Sequence, residues 1–249
     1  MDFTFKKYKD LLKALIANEY FFQTFNDFIT SPKDKTVILR HDVDRLPYNS
    51  LQIAIIEKDL GIRSSYYFRA TKGSWDDGIV SQINDMGHEV GYHYENLTVC
   101  NGHLEKGIRD FEINLNKMRK VADINTICMH GSPTSKWDSK DLWEKYSYKD
   151  YGIIGEPYFD IDFDEVCYFT DTGRKWNGQD TSVRDKVNSK YNFNFKTTQH
   201  IIDNIDSLPS QLMFTAHPQR WDDRMLPWIK ELILQNIKNK IKKGIKWLR

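Results

Sequence analysis

The feature that most constrains the fold is the segment 36–44, TVILRHDVD, an apolar run that ends in one histidine and two aspartates. Aliphatic residues at 37–39 predict a short buried strand, because β-branched and aliphatic side chains pack well on a pleated core surface. The chain then places His41, Asp42 and Asp44 where that strand reaches the surface. Because a buried carboxylate is unfavourable unless it is paired or bound to a metal, the segment predicts chemistry at the end of a strand.

The same pattern recurs along the chain, where short apolar runs alternate with amphipathic stretches. Strands are predicted at 37–40, 64–69, 88–92, 126–129, 151–154, 166–170 and 212–216. Helices are predicted within the first thirty residues and at 50–58, 78–86, 104–121 and 225–246. Parallel strands require crossover connections, which are usually helical, so this alternation predicts an α/β fold with a parallel sheet.

Polar side chains follow six of the predicted strands. In chain order they are His41, Asp42 and Asp44, then Arg69, then His93 and Glu95, then His130, then Asp171, and finally His217. In a barrel of parallel strands all carboxyl ends lie on one face, and active sites are built there. The sequence therefore predicts that these side chains converge on one pocket.

The residue types in this pocket indicate a metal site. Three histidines and several aspartates fit a divalent ion with mixed nitrogen and oxygen ligands. Such an ion lowers the pKa of a bound water to about 7, so that the water can attack a carbonyl at neutral pH. A neighbouring carboxylate can accept the proton of that water, and a histidine can protonate the leaving group.

Composition argues against several other classes of protein. With 36 basic and 35 acidic residues among 249, no global charge favours nucleic acid as a partner. The chain has no apolar run of about 18 residues that would predict a membrane-spanning helix, and its start does not resemble a secretory signal. Cys100, Cys128 and Cys167 are dispersed and are predicted to be buried thiols in a reducing compartment. We therefore expect a cytoplasmic location.

Six motifs occur in the order found in a known family. They are RHDVD at 40–44, LGIRSSYYF at 60–68, GHEVGYHYENL at 87–97, HGSP at 130–133, TDTGRKW at 170–176 and FTAHP at 214–218. This ordered set resembles the polysaccharide deacetylase superfamily (the NodB-homology, carbohydrate esterase family 4 group). The resemblance implies a single domain over 1–249, a distorted (β/α)7 barrel of parallel strands with an N-terminal helical cap at 1–35 and a C-terminal helix at about 225–249.

The resemblance also implies a reaction and a set of site residues. Members of this family hydrolyse N- or O-acetyl groups of sugars with an Asp-His-His metal site. By motif order, Asp42 is the base, His217 is the catalytic acid, and Asp44 and His93 are metal ligands, although the two aspartates could exchange roles. The expected ion is Zn2+, with Co2+, Ni2+ or Mn2+ as alternatives. Substrate-binding roles are expected for Arg69, Glu95, Asp171 and Trp176.

The chain departs from the family pattern at the metal site and beside the base. Leu97 stands where the second motif usually has a further histidine, so one metal ligand is missing. The preferred replacement is His130, which ends the next strand, and the alternatives are Glu95 and His41. The arginine that usually holds the base is also absent, and the two candidates to replace it are Arg69 and Arg174.

The sequence thus predicts a metal-dependent hydrolase that removes an acyl group, expected to be acetyl, from an N-acyl sugar or glycan precursor. Two other functions remain open. The missing ligand is compatible with a catalytically impaired barrel that binds a glycan or nucleotide-sugar. A glycoside hydrolase requires two carboxylates at least about 5 Å apart, so Asp42 or Asp44 would need a distant partner such as Asp171.

The last predicted helix carries an isoleucine at every fourth position, with lysines between. The isoleucines are Ile229, Ile233, Ile237 and Ile241. We expect this stripe to pack against the barrel and the lysines to face solvent. The alternative is that this basic amphipathic helix makes a peripheral contact with an anionic membrane.

Overall fold

Seven parallel strands form one curved sheet at the centre of the computed structural model, which describes residues 1–176, 182 and 184–248. The strands are β1 (Phe21–Gln23), β2 (Thr36–Val43), β3 (Ser65–Phe68), β4 (Glu89–Tyr94), β5 (Ile127–Met129), β6 (Cys167–Thr170) and β7 (Gln211–Ala216). Their hydrogen-bonded order is β5-β4-β3-β2-β7-β6, and β1 pairs with the first half of β2. β2 is therefore the central strand, with β3 on one side and β7 on the other.

Helices cover this sheet and connect its strands. They are α1 (Phe5–Ala17), α2 (Phe25–Thr30), α3 (Pro47–Asp59), α4 (Asp77–Asp85), α5 (Asn96–Val99), α6 (Leu104–Met118), α7 (Leu142–Lys145), α8 (Pro157–Asp160), α9 (Thr198–Ile202) and α10 (Met225–Leu248). α3, α4 and α6 lie between successive strands, as the crossovers of a parallel sheet require. The sheet curls into a half-barrel flanked by helices, and the predicted α/β class with parallel strands is confirmed.

The strand predicted at 151–154 is wrong. The chain instead forms a 3-10 turn over Tyr148–Tyr151 and then passes Gly152 in the left-handed conformation, at φ 68°. Its β pairing is limited to a single parallel bridge between Gly155 and Thr126 beside β5, next to a hydrogen bond from the Ile154 N–H to Asn125 O at 2.8 Å. A left-handed turn residue redirects the backbone, so this segment does not align with β5 over a full strand length.

The N-terminal cap begins with a helix whose apolar stripe faces the protein. The side chain of Thr4 caps α1 by accepting a hydrogen bond from the backbone N–H of Lys7 at 3.1 Å. The buried side chains of α1 are Tyr8, Leu11, Leu12 and Leu15, whereas Ile16 is 40% exposed. The short strand β1 then extends the sheet at the amino end of β2, which is how this segment covers one end of the half-barrel.

All eight residues of β2 are buried, as expected for a strand of a parallel sheet that is covered on both faces. Successive side chains of a strand point to opposite faces. Arg40 and Asp42 therefore share one face, and His41 points to the other, where it contacts Glu57 of α3 at 2.7 Å. The carboxyl end of this strand consequently presents Asp42, and then Asp44, to one side of the sheet.

The C-terminal helix α10 turns its isoleucines towards solvent, although they were expected to pack against the barrel. Its contacts with the body of the protein include a hydrogen bond from Trp228 Nε1 to the backbone oxygen of Asp2 at 2.7 Å. Its buried positions include Glu231 and Gln235, which lie beside a polar cavity. The four isoleucines of the stripe are instead 38–55% exposed, so the prediction that they pack against the barrel was wrong. Among the described helices, none is both long and apolar enough to cross a membrane.

Candidate metal centre

The polar strand ends meet around one cavity of about 650 Å³. Six of the residues proposed from the sequence line it: Asp42, Asp44, Arg69, His93, His130 and His217. The cavity lies at the carboxyl ends of β2, β4, β5 and β7, as active sites do in parallel barrels. Three further residues proposed from the sequence do not line it: Glu95, Asp171 and Trp176.

Asp44, His93 and His130 bring three potential ligand atoms together at this end of the sheet. Asp44 Oδ1 lies 3.7 Å from His93 Nε2 and 3.3 Å from His130 Nε2. The three atoms lie within 4.8 Å of one another. Asp44 Oδ1 is buried, and no hydrogen-bond partner for it is found in the described residues. Since buried polar atoms are nearly always paired, this oxygen is a candidate to bind a water or an ion.

Each imidazole is oriented by a bond to its other nitrogen. His93 Nδ1 lies 2.9 Å from the backbone oxygen of Cys128, and His130 Nδ1 lies 2.8 Å from Glu95 Oε2. Both Nε2 atoms therefore face Asp44. Ligating histidines are held in this way by a carbonyl or carboxylate behind the ring. Burial lowers the pKa of His93 to about 4, so its ring is neutral at neutral pH, which is the form that binds a metal.

One carboxylate and two imidazoles fit a zinc-type ion with an open coordination position. The structure brings His130, the preferred replacement for the ligand missing at Leu97, into this group. Glu95 lies behind His130 and also accepts a hydrogen bond from Arg69 Nε at 2.8 Å. Its position is therefore suited to orienting the His130 ring rather than to binding the ion itself. His41, the other alternative, is on the opposite face of β2.

A second group of potential ligand atoms overlaps the first and consists of Asp42, His93 and Cys128. Burial raises the pKa of the Cys128 thiol well above its ordinary value. A thiol binds a metal as the thiolate, so this group is the weaker candidate in the protein as described.

Asp42 lies beside the group formed by Asp44, His93 and His130, which we call the metal group, and an arginine fixes the Asp42 carboxylate. Arg40 donates from Nε and Nη2 to the two carboxylate oxygens of Asp42, at 2.8 and 2.6 Å. Asp42 Oδ2 lies 3.7 Å from His93 Nε2. Burial alone would raise the pKa of Asp42, but the charges of Arg40 and His93 outweigh burial and lower it to about 2. Asp42 is therefore an ionised carboxylate in a fixed orientation.

Arg40 was missed in the sequence analysis, which proposed Arg69 or Arg174 as the partner of the base. The structure places Arg69 on Glu95, and the guanidinium of Arg174 over the ring of Trp228 at 4.7 Å. The signal that could have identified Arg40 is its position two residues before Asp42, which puts both side chains on one face of the strand.

His217 is held on the other side of the cavity by Asp171. His217 Nδ1 lies 2.6 Å from Asp171 Oδ1, and the backbone N–H of His217 donates to Asp171 Oδ2 at 2.9 Å. Arg220 and Trp221 Nε1 also donate to Asp171, at 2.5 and 2.9 Å. Burial alone would raise the pKa of Asp171, but the charges of Arg220 and His217 outweigh burial and lower it.

Asp171 has no exposed surface, so its position is that of a support for His217 rather than of a group that contacts substrate. Trp176 is also in the core. It is 3% exposed, its Nε1 donates to Thr198 Oγ1 at 2.9 Å, and its ring packs near Phe214 and Trp221. The structure therefore places neither Asp171 nor Trp176 where the sequence analysis expected a substrate contact.

Comparisons with known proteins find distant likenesses. No protein-family model and no curated protein matches the sequence. Among crystal structures, a CE4 family pseudoenzyme from Bacillus anthracis matches with 15% identity and a TM-score of 0.45, over 85% of this chain and 63% of that chain. The Xyl-CE4 domain of a multidomain xylanase from the hindgut metagenome of Trinervitermes trinervoides matches with 13% identity and a TM-score of 0.40, over 84% of this chain and 85% of that one.

A family 4 carbohydrate esterase from Bacillus anthracis also matches, with 13% identity and a TM-score of 0.40, over 95% of this chain and 86% of that chain. These three structures belong to carbohydrate esterase family 4, the group that the sequence motifs resemble. The chain spans only 63–65% of the length of the pseudoenzyme structures. At these scores the likenesses carry no inference about activity.

Proposed function

We propose that the cavity is the active site of a metal-dependent hydrolase that removes an acyl group, expected to be acetyl, from an N-acyl sugar or glycan precursor. The observation that carries the proposal is the group of Asp44, His93 and His130, with its buried, unpartnered oxygen. A divalent ion held there, expected to be Zn2+, would supply Lewis-acid polarisation of the acyl carbonyl and activation of water. The acyl-sugar class of substrate is supported by the resemblance of the motifs.

Asp42 is the proposed acceptor of the proton from the attacking water. It lies in the cavity wall beside the metal group, and its two hydrogen bonds from Arg40 fix the plane of the carboxylate. With a pKa of about 2, Asp42 is a weak base. Proton transfer to it is therefore favourable only in concert with attack on the carbonyl, when the water loses its proton.

His217 is the proposed donor of the proton to the leaving amine. Asp171 holds its Nδ1, which leaves Nε2 as the ring nitrogen for which no bond is found in the described residues. A buried carboxylate behind a histidine fixes the tautomer and stabilises the imidazolium form. The proposal is supported by the presence of both side chains, each held by its own partner, around one cavity.

The test is to measure bound metal and acyl release with matched histidine variants. The protein would be loaded with Zn2+ and its metal content measured by mass spectrometry. Acetate release would be followed with oligosaccharide and nucleotide-linked N-acetyl sugars. We expect about one ion per chain, and we expect His93→Ala to lose both the ion and turnover. The control is His103→Ala, since His103 is exposed and does not line the cavity.

Two results would contradict the proposal. One is a protein that binds no divalent ion and is unaffected by His93→Ala. The other is a protein that binds the ion and an N-acyl sugar but releases no acid from any acylated sugar, which would support a glycan-binding barrel instead.

A further inference from the structure

The exposed face of α10 is more apolar than the face that contacts the protein. The buried positions of this helix include Glu231, which pairs with Arg45, and Gln235. Its solvent side carries the four-residue repeat of isoleucines described above, with Leu226 80% exposed near its start. A surface helix of a soluble protein normally shows the opposite arrangement, with its apolar stripe towards the core. The apolar face of α10 therefore lacks a partner among the described residues.

The net charge of this helix is positive. α10 contains six lysines and one glutamate, whereas the whole chain has 36 basic and 35 acidic residues. Lys230 and Lys240 are exposed on the side of the isoleucines, and the glutamate is the buried Glu231, whose charge Arg45 already pairs. The exposed face is thus apolar and cationic.

We propose that the exposed face of α10 docks on an anionic lipid surface, with its axis in the plane of the interface. A helix with isoleucines and lysines on one side matches such a surface, because the isoleucines enter the headgroup boundary and the lysines bind the anionic headgroups. The proposal stands apart from the proposed hydrolysis, because lipid binding needs neither metal nor turnover.

A second copy of the chain fits this face less well than a lipid surface. Isoleucines four residues apart advance about 40° around a helix at each step, so they form a wide spiral rather than the narrow seam of a coiled coil. Pairing two such helices would also bring lysines of one copy near lysines of the other. An anionic lipid surface matches both the width of the isoleucine face and the positive charge of its lysines.

The docked helix would hold the cavity mouth close to the lipid surface. Glu231, Gln235, Lys238 and Ile241 of α10 all contribute to the wall of the cavity. Ile241 is exposed as well, so it belongs both to the cavity wall and to the proposed docking face.

The test is sedimentation of the full-length protein with vesicles of phosphatidylcholine alone or of phosphatidylcholine mixed with phosphatidylglycerol. We expect binding to the mixed vesicles that weakens as salt is raised. We expect the double variant Ile233→Glu, Ile237→Glu to bind at least about tenfold more weakly, since it puts charge where apolar surface should enter the interface. Lys230→Glu with Lys240→Glu is expected to remove the preference for the anionic vesicles.

The matched control is Ile113→Glu, because Ile113 is 66% exposed on α6 and lies outside α10. It should bind vesicles as the unmodified protein does, and thermal unfolding would show that all variants are folded. Equal binding to both kinds of vesicle, or equal loss in the Ile113→Glu control, would overturn the proposal. Concentration-dependent dimers that Ile233→Glu disrupts, without vesicle binding, would assign the face to a second copy and overturn it too.

Discussion

Two buried polar clusters lie on opposite faces of β2, and they differ in how completely the oxygens of their carboxylates are paired. The metal group of Asp44, His93 and His130 faces a cavity and leaves Asp44 Oδ1 without a partner in the described residues. The other cluster surrounds the Glu57 carboxylate behind the strand. We call it the Glu57 cluster; its members are Glu57, Tyr8, His41, Ser64, Tyr66 and His88.

Both oxygens of Glu57 are fully occupied. Tyr8 and His41 lie 2.5 and 2.7 Å from Oε1, and the hydroxyls of Ser64 and Tyr66 donate to Oε2 at 2.5 and 2.6 Å. A buried carboxylate with this many donors is stabilised within the fold and needs no ligand. The comparison teaches that burial of histidine and carboxylate together does not mark a site. The group at the cavity differs in having a carboxylate oxygen, Asp44 Oδ1, without a partner in the described residues.

The largest expected effect is on turnover and bound metal, and it distinguishes the proposed roles of Asp42 and Asp44. Asp42→Asn should lower turnover by about 10²–10⁴-fold, because an amide cannot accept the proton, and should leave bound metal unchanged. Asp44→Asn should lose the ion, because it replaces a carboxylate ligand. Metal content and acetate release, measured on the same samples, check both outcomes.

The opposite pattern of metal loss would exchange the proposed base role of Asp42 and the proposed ligand role of Asp44. If Asp42→Asn lost the ion and Asp44→Asn kept it, Asp42 would be the ligand, together with His93 and Cys128. The unmodified protein with metal removed by a chelator is the reference for full loss of the ion.

The next effect is on stability and comes from the Glu57 cluster. Burial alone would raise the pKa of Glu57, but His41 and the other donors outweigh burial and lower it from 4.5 to about 2. A lowered folded-state pKa contributes stability that is present above the unfolded value and is lost as pH falls from about 4.5 towards 2. Glu57→Gln should therefore reduce the free energy of unfolding at pH 7 by about 3 kcal/mol and flatten its fall in acid.

Urea unfolding at a series of pH values measures this, and metal content should stay as in the unmodified protein. The control is Asp59→Asn, since Asp59 is exposed on the same helix. A Glu57→Gln variant that kept its acid-dependent loss of stability would show that the loss arises elsewhere. A variant that lost its metal would show that the two faces of β2 are coupled.

The convergence of the candidate site residues on one cavity could be predicted from the sequence, because the carboxyl ends of parallel strands lie at the same edge of a sheet. Asp42, Asp44, His93, His130 and His217 each follow an apolar run, and the structure places all of them around one cavity. Only the alternation of strands and helices was needed for that step. The same alternation of faces along a strand could have excluded His41 as a ligand, since it is one residue from Asp42.

Partners across the chain could not be predicted in the same way. Asp171 and Arg220 are separated by 49 residues, and Tyr8 and Glu57 also by 49, so these contacts follow from packing in three dimensions. The orientation of α10 escaped prediction for a related reason. Periodicity identifies an apolar stripe, but the surface beneath the helix is a polar cavity wall, and that surface decides which face turns inward.

The smallest expected effect concerns Glu95, which combines features of both clusters because it is a paired carboxylate that touches the metal group. It holds His130 through Oε2 and is itself held by Arg69. Glu95→Gln keeps the shape of the side chain but replaces the charged hydrogen bond to His130 Nδ1 with a weaker, neutral one. Loss of such a holder typically lowers metal affinity by about 10–100-fold, and stability should change little.

Competition with a chelator at several concentrations measures this affinity, and saturating Zn2+ should restore turnover in Glu95→Gln but not in His130→Ala. That rescue distinguishes a residue that positions a ligand from a residue that is one. A variant with unchanged metal affinity but weaker sugar binding would instead return Glu95 to the substrate-binding role that its sequence position first indicated. A loss that saturating metal does not restore would make Glu95 itself a ligand.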